Sequence, residues 1–190
     1  MNNILMISHQ KKNQKGVTFL EVLIAMVILV TGILGAVAMQ ATAKQASFDA
    51  MQRSLASSLA QDIVERMRNN SSNNLGLYEV GSPFGDGDVI AQQCSRVNSN
   101  CAPAQIRQND LFEWEQALIG SGTRNNTALK NVGGLIGGTG CIDVKGNRVT
   151  VVISWQGRTN LSDGASADTG VACGATGKKS RQVVVNAFIL

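Results

Sequence analysis

The sequence predicts an α+β fold in which one long N-terminal helix packs on a small antiparallel sheet, with disulfide-stabilised loops. Three observations favour it. An uncharged apolar run extends from Val22 to Met39, an apolar stripe with helical spacing continues to Met67, and two runs near the C-terminus alternate like strands. With 20 glycines and 4% aromatic residues in 190, the core is expected to be small and the loops many.

Residues 1–16 are predicted to be a leader. The basic residues Lys11, Lys12 and Lys15 precede Gly16, and no acidic residue does, so the net charge of +4 belongs mostly to this segment. The charges come first, then the glycine, then the apolar run, which is the wrong order for an ordinary secretory signal. A cut after Gly16 would keep the apolar segment. Without the leader the chain lacks the clustered basic surface of a nucleic-acid-binding protein.

Residues 17–39 are predicted to form the transmembrane half of the helix. About 23 residues at roughly 1.5 Å each give about 34 Å, enough to cross a hydrocarbon core of about 30 Å. The leader lysines place the N-terminus in the cytoplasm, and everything past about Gln40 outside. Gly32 and Gly35 soften the second half of the span or permit tight helix packing.

Residues 40–68 are predicted to continue the helix as its amphipathic half. Apolar residues recur at steps of three or four and form a stripe expected to cover the sheet: Phe48, Met51, Leu55, Leu59, Ile63 and Met67. Asp62 and Arg66 are spaced as an i,i+4 ion pair, and Arg66 and Arg68 are expected on a solvated face. No proline interrupts Val17–Arg68, and the Asn- and Ser-rich run 69–74 ends the helix.

Residues 69–190 are predicted to form the periplasmic or extracellular α+β domain. Residues 75–108 are expected to be loop, with a solvated turn at Gly85–Asp88. A second helix is expected from Asp110, with a capping box to Glu113 and an apolar face that includes Trp114. Three strands in sequence then suggest an antiparallel meander: Cys141–Val144, Val149–Trp155 and Val183–Ile189. Both tryptophans are expected in the core.

All four cysteines lie beyond the span: Cys94, Cys101, Cys141 and Cys173. An even count in an oxidising compartment favours two disulfides, with three possible pairings. We favour Cys94–Cys101 with Cys141–Cys173. A metal site is not expected, because the chain has no CxxC and its only histidine is His9. No cofactor is predicted.

Glu21 is the only ionisable residue from Val17 to Met39. A charge within a membrane span costs roughly 2.5–3.5 kcal/mol on insertion scales and usually needs a partner. The favoured partner is the new α-amino group that a cut after Gly16 would create. The alternative is a carboxylate that snorkels to the cytoplasmic edge of the membrane.

These residues carry a family resemblance. The basic leader ending in Lys15-Gly16, followed by Val17–Ala25, resembles the prepilin signature of type IV pilins and type II secretion pseudopilins. Further segments resemble the PilV-type minor pilins: Met26–Leu29, Gly32–Gly35, Met39–Gln40, Ala60–Arg68, Asp110 with Trp114, the glycines before Cys141, and Val149–Trp155.

The resemblance implies a type IV pilin-like fold and a defined processing chemistry. A prepilin peptidase would cut between Gly16 and Val17 and methylate the Val17 amine, and Glu21 would pair with the Val17 ammonium of a neighbouring subunit. Position 17 is commonly Phe or Met in these families, whereas this chain has Val17. Gly32 and Gly35 occupy the region where major pilins often carry a helix-breaking proline.

The implied partners are the prepilin peptidase, other minor and major pilins, the inner-membrane assembly platform and membrane lipid, with no nucleic acid. The implied location is the bacterial inner membrane, then a periplasm-spanning pilus or the cell surface. We expect a minor pilin that primes or modifies type IV pilus assembly near the tip. A minor pseudopilin and a membrane-anchored binding protein that never polymerises are the alternatives. An enzyme is not expected, because histidine-based triads and paired carboxylates are lacking.

Overall fold

The computed structural model describes the residues 16–70, 72–79, 83–92, 94, 100–123, 131, 133–161 and 172–190. The leader lysines Lys11, Lys12 and Lys15 lie outside the described residues. The chain divides into two compact units, of which the first ends at Lys44 and the second comprises Gln45–Leu190. Each is considered by itself.

Helix α1 runs from Phe19 to Asn69, which confirms the predicted single helix to within two residues at each end. In the first unit all its side chains are exposed. A Cβ atom added at Gly32 or Gly35 would meet no other atom within 4 Å. Beside Gly32, the Thr31 hydroxyl donates to the carbonyl oxygen of Val27 at 2.9 Å, so this side chain satisfies its polar group within the helix.

In the second unit, one face of α1 covers the sheet, as the apolar stripe predicts. Leu59, Ile63 and Met67 are buried, but Met51 is 57% exposed. The buried face instead continues through Ala56 to Gln52. The reason is a loop from another part of the chain, since the Gln52 side chain accepts a hydrogen bond from the backbone N–H of Ile136 at 3.1 Å.

The sheet has the order β1-β2-β3 and is antiparallel throughout, which confirms the predicted meander. Strand β1 is Thr139–Lys145, β2 is Arg148–Gln156 and β3 is Ser180–Phe188. The tight turn between β1 and β2 contains Gly146 at φ 62°, a left-handed conformation that glycine adopts without strain.

The middle strand is buried on both faces, whereas its sequence predicts one apolar face. One face carries Val149, Val151, Ile153 and Trp155 into the core. The other is covered near Val152 by the segment that follows residue 171. Cys173 Sγ lies 3.4 Å from the Val152 carbonyl oxygen, and Cys141 is the β1 partner of Val152. A tethered loop therefore covers the side of the sheet opposite the helix.

The structure contains two disulfides, Cys94–Cys101 and Cys141–Cys173, the pairing favoured in the sequence analysis. The first joins residues seven apart, and the second joins residues 32 apart, from β1 to the covering loop. The second bridge therefore explains how the loop stays on the sheet.

Helix α2 runs from Pro103 to Ile119, so the predicted start at Asp110 is wrong. The true start has Pro103 in the first turn, a position that suits proline because its missing N–H would be unpaired there. The N-cap Ala102 donates its N–H to the Gln105 side chain at 2.9 Å. The expected loop over residues 75–108 is also interrupted earlier, by a 3₁₀ helix at Ser72–Tyr78.

Trp114 joins α1, α2 and β1. Its indole N–H donates to the Leu59 carbonyl oxygen at 2.9 Å, and its ring meets Phe84 edge-on at 5.5 Å. A Cβ atom at Gly140 would lie 2.4 Å from the indole, so only glycine fits at that point of β1. Trp114 and Trp155 are both buried, which confirms their predicted place in the core.

Candidate functional site

The start of α1 is organised by a reciprocal pair of hydrogen bonds between Thr18 and Glu21. The Thr18 hydroxyl accepts the backbone N–H of Glu21 at 3.3 Å, and a Glu21 carboxylate oxygen accepts the backbone N–H of Thr18 at 3.4 Å. This is a capping box, which satisfies two of the N–H groups that a helix start leaves unpaired. Thr18 was not among the predicted site residues, although Thr-x-x-Glu before an apolar run is the sequence signal of a capping box.

The capping box changes the interpretation of Glu21. Besides the partner expected from a second subunit, Glu21 has one in its own helix, because the Thr18 hydroxyl lies 3.5 Å from the same carboxylate oxygen. A carboxylate at a helix N-terminus is also stabilised by the helix dipole. The carboxylate has about four acceptor positions, so capacity for a cation remains.

Gly16 and Val17 lie just before the helix, in residues without regular secondary structure. Val17 is 71% exposed, and a Cβ at Gly16 would meet nothing within 4 Å. The described part of the chain therefore leaves both residues of this peptide bond exposed. The basic residues that precede it lie outside the described part.

The helix that follows is long and apolar enough to cross a membrane, and its most apolar stretch is not buried by the rest of the described chain. Phe19 is 81% exposed. Such a surface must be covered by lipid or by other protein in the cell.

Two family models match adjacent parts of the chain. Residues 11–37 match the prokaryotic N-terminal methylation motif, which includes Gly16, Val17 and Glu21. Residues 38–112 match the family described as Type IV pilin Tt1218. The chain therefore carries a prokaryotic N-terminal methylation motif and, over residues 38–112, a segment similar to a type IV pilin. No curated protein and no solved structure gives a significant match to it.

The two matches cover different parts of the chain. The first covers the leader junction and the start of α1. The second covers the rest of α1, the 3₁₀ helix, the Cys94–Cys101 loop and the first part of α2, and it ends before the sheet. The methylation motif followed directly by the apolar helix is consistent with membrane anchoring. The small antiparallel sheet under α1 is consistent with the type IV pilin fold.

A polar network holds α2 against the end of α1 in the second unit. Arg66 binds Asp62 at 3.0 Å, as the i,i+4 spacing predicts, but it also binds Glu113 at 2.7 Å and lies 3.6 Å from Asp110. The expectation of a solvated Arg66 is therefore wrong. It failed because three carboxylates, two of them on α2, surround the guanidinium, and sequence spacing cannot show that.

The buried end of this network is centred on Tyr78. Its hydroxyl donates to Asp110 at 2.6 Å and accepts from the Asn70 side chain at 3.0 Å. Burial and the bond to Asp110 raise the pKa of Tyr78, which keeps the phenol neutral. Burial also raises the pKa of Asp110, outweighing the opposing effects of Tyr78 and Arg66. The hydrogen bond from Arg66 lowers the pKa of Glu113.

Glu115 anchors the turn that the sequence predicted to be merely solvated. Its side chain is 2% exposed, and its carboxylate accepts backbone N–H groups of Gly85, Gly87 and Val89 at 3.0, 3.1 and 2.9 Å. Three donors compensate the carboxylate for lost hydration. The neighbouring Asp86 is thus displayed on a fixed backbone.

Within the described residues, no group of three or more His, Cys, Asp or Glu side chains could hold a metal ion. The polar side chains around Arg66 and Glu115 bind other residues of the same domain, so these two networks stabilise the fold. The candidate functional site is therefore the start of α1, where Gly16 and Val17 are exposed and the Glu21 carboxylate follows four residues after Val17.

Proposed function

We propose that this protein is a type IV pilin, and that it is a minor subunit that primes or modifies type IV pilus assembly near the pilus tip. A prepilin peptidase cuts between Gly16 and Val17 on the cytoplasmic side and methylates the new amine of Val17. The mature chain then stays in the inner membrane through residues 17–39, with its domain outside, until the assembly platform inserts it into a fibre with other minor and major pilins. The observation that carries the proposal is the methylation motif joined directly to a type IV pilin domain.

The leader junction supports the first step. Gly16 offers no side chain to hinder a peptidase, and the bond lies before the first turn of α1, where the backbone need not be unwound from a helix before it is cut. The lysines Lys11, Lys12 and Lys15 favour retention of this end in the cytoplasm.

Glu21 supports the assembly step. A charged carboxylate within the membrane span is costly, and a capping hydrogen bond does not neutralise its charge. The Val17 ammonium of a neighbouring subunit would do so, and attraction between two desolvated charges is strong in a low dielectric. The Thr18 bonds hold the carboxylate at the helix start, where such an amine would arrive.

Gly32 and Gly35 support adaptation of the helix within a fibre. Glycine costs a helix about 1 kcal/mol relative to alanine, so two glycines in one turn provide a point where α1 can bend or unwind. Apart from the helix's own backbone, a Cβ atom at either position would meet nothing within 4 Å, so each glycine leaves room for packing against another subunit.

The test is deletion of the gene in its own bacterium, followed by complementation with the wild type, Glu21→Gln or Gly16→Phe. Loss of surface pili and twitching, restored by the wild type only, would support the proposal, as would detection of the protein in sheared fibres far below the main pilin. Mass spectrometry of the membrane-extracted protein should find an N-terminus at Val17.

Three outcomes would contradict parts of the proposal. Normal pili with lost enzyme secretion would indicate a pseudopilin. Absence from every fibre with a retained membrane location would indicate an anchored binding protein. An N-terminus at Met1 in cells would reject the cleavage.

A further inference from the structure

The sheet has one edge that the described chain leaves open. In the order β1-β2-β3, the two edges belong to β1 and β3. The β1 edge is partly closed, because Phe84 and Gly140 exchange two backbone hydrogen bonds of 2.8 Å each. Among the described residues no strand pairs with the outer edge of β3.

The direction of the free backbone groups follows from bonds at both ends of β3. The N–H of Ile189 donates to Asn147 at 2.9 Å, and the Lys179 carbonyl accepts the N–H of Gly157 at 2.8 Å. Since backbone groups of alternate residues point to the same side of a strand, odd-numbered residues of β3 face β2. The even-numbered ones direct their N–H and C=O groups outward.

The start of the outer edge is already used. The Ser180 N–H donates to Gly177 at 2.9 Å, and the Lys178 carbonyl accepts the N–H of Leu161 at 2.8 Å. The outward groups that remain belong to Gln182, Val184, Asn186 and Phe188. Four alternate residues are enough to pair with one strand of about seven residues.

The chemistry of this edge favours an acidic partner. The strand is rich in β-branched residues and contains no proline, as suits pairing with another strand. No acidic side chain occurs from residue 172 to 190, whereas Lys178, Lys179 and the neighbouring Arg148 are exposed. A second copy of the chain would bring the same cations to the edge.

We propose that the outer edge of β3 is a docking site for an extended segment of another protein in which acidic and apolar side chains alternate. The segment adds a fourth strand, with main-chain bonds supplying the affinity. Its carboxylates meet the lysines and Arg148 beside the edge. The proposal does not depend on a place in the pilus.

The first test uses two fluorescent, acetylated heptapeptides, one alternating Val and Glu and one alternating Val and Lys. Binding to the full-length protein in detergent micelles is measured by anisotropy. The Glu peptide should bind at least about tenfold more tightly, and added salt should reduce the difference, because exposed charges are screened. Equal binding of both peptides, or no binding of either, overturns the proposal.

The second test compares Val184→Pro with Val184→Ala. Proline removes an outward N–H without removing a bond to β2, and edge strands tolerate it. It should weaken Glu-peptide binding about tenfold, the effect of losing one or two main-chain bonds, whereas alanine keeps the N–H and should change binding less than about twofold. Undiminished binding by a folded Val184→Pro protein contradicts the site.

Hydrogen exchange of the wild type tests the site even if the proline variant fails to fold. The Glu peptide should slow exchange of the Gln182, Val184 and Asn186 amides about tenfold and leave Val183 and Val185 unchanged. Absence of this alternation overturns the proposal. Self-association of the protein through these same amides, in place of peptide binding, would show that a second copy occupies the edge and would also overturn it.

Discussion

The indole N–H of Trp114 donates to the backbone carbonyl of Leu59 at 2.9 Å, so one side chain of α2 is bonded to the main chain of α1. The bond lies inside the core, where the Trp114 ring also meets Phe84 and leaves no room for a Cβ at Gly140. Polar and apolar contacts of a single residue thereby fix α1, the segment around Phe84 and strand β1 together.

Substitution at Trp114 should separate the contribution of its indole hydrogen bond from that of its ring packing. Trp114→Phe removes the hydrogen bond and part of the ring and is expected to lower the free energy of unfolding by roughly 2 kcal/mol. Trp114→Ala should cost about 3–5 kcal/mol. Chemical denaturation in micelles, followed by circular dichroism, measures both. Equal losses would mean that the ring's packing contributes little beyond the bond.

Thr18 and Glu21 variants should distinguish helix capping from assembly. Thr18→Ala removes the cap and should destabilise the first turn by about 1 kcal/mol, whereas Thr18→Ser should keep it. Hydrogen exchange at the Glu21 amide in micelles should be about fivefold faster in Thr18→Ala. Glu21→Gln keeps an acceptor for the Thr18 N–H but removes the charge.

Glu21→Gln should therefore insert into the membrane with a nearly normal helix start and still fail to enter fibres. Immunoblots of sheared fibres measure incorporation, and membrane fractions give the control. Normal incorporation of Glu21→Gln, with lost incorporation of Thr18→Ala, would indicate that the cap is what assembly requires.

The ion pair of Glu113 with Arg66 should make stability depend on acid. Because the pKa of Glu113 is lowered in the folded state, this pair stabilises the fold above the unfolded pKa of about 4.3. The contribution is lost as pH falls through the folded value. Glu113→Gln should flatten the decline of the melting temperature from pH 5 to pH 3.

Asp110 should act in the opposite direction. Its folded pKa is raised, so its contribution is largest in acid and falls as pH rises through the folded value.

Glu65→Gln is the matched control for Glu113→Gln, because Glu65 also pairs with an arginine on α1 but lies at the surface. An equal effect of the two substitutions would contradict a special role for Glu113.

Removal of the disulfides should have unequal effects. On loop-closure entropy, the bridge across 32 residues stabilises by roughly 4 kcal/mol and the one across seven by roughly 2.5 kcal/mol. Paired Cys→Ser substitution at Cys141 and Cys173 should therefore lower the melting temperature more than that at Cys94 and Cys101. Non-reducing peptide mapping tests the pairing directly, and a peptide linking Cys94 to Cys173 would reject it.

The elements that the sequence predicted well are those governed by local pattern. The α1 helix follows from apolar spacing without proline, and the meander follows from alternation around the turn at Gly146. The start of α2 was mistaken because Asp110 and Glu113 have the spacing of a cap. In the folded protein they bind Tyr78 and Arg66 instead, from the middle of a helix.

In the candidate site, too, the residues set by local sequence were predictable, and those set by tertiary contacts were not. The Gly16–Val17 junction and Glu21 were predicted from sequence order and charge; they fall within the residues that match the methylation motif, and their roles stay predictions. The capping role of Thr18 was readable but overlooked. The contacts of Arg66 and Glu115 could not be predicted, because their partners come from segments whose approach depends on the packing of Trp114 and the sheet.

Glu115 fixes the backbone of the segment 85–89 without using the segment's side chains. Its three bonds are to main-chain N–H groups, so the side chains of Asp86 and Asp88 take no part in the attachment. Substitution of those two residues should therefore leave the backbone of the segment in the same position. The charge of this surface can thus change without a change in the backbone that displays it.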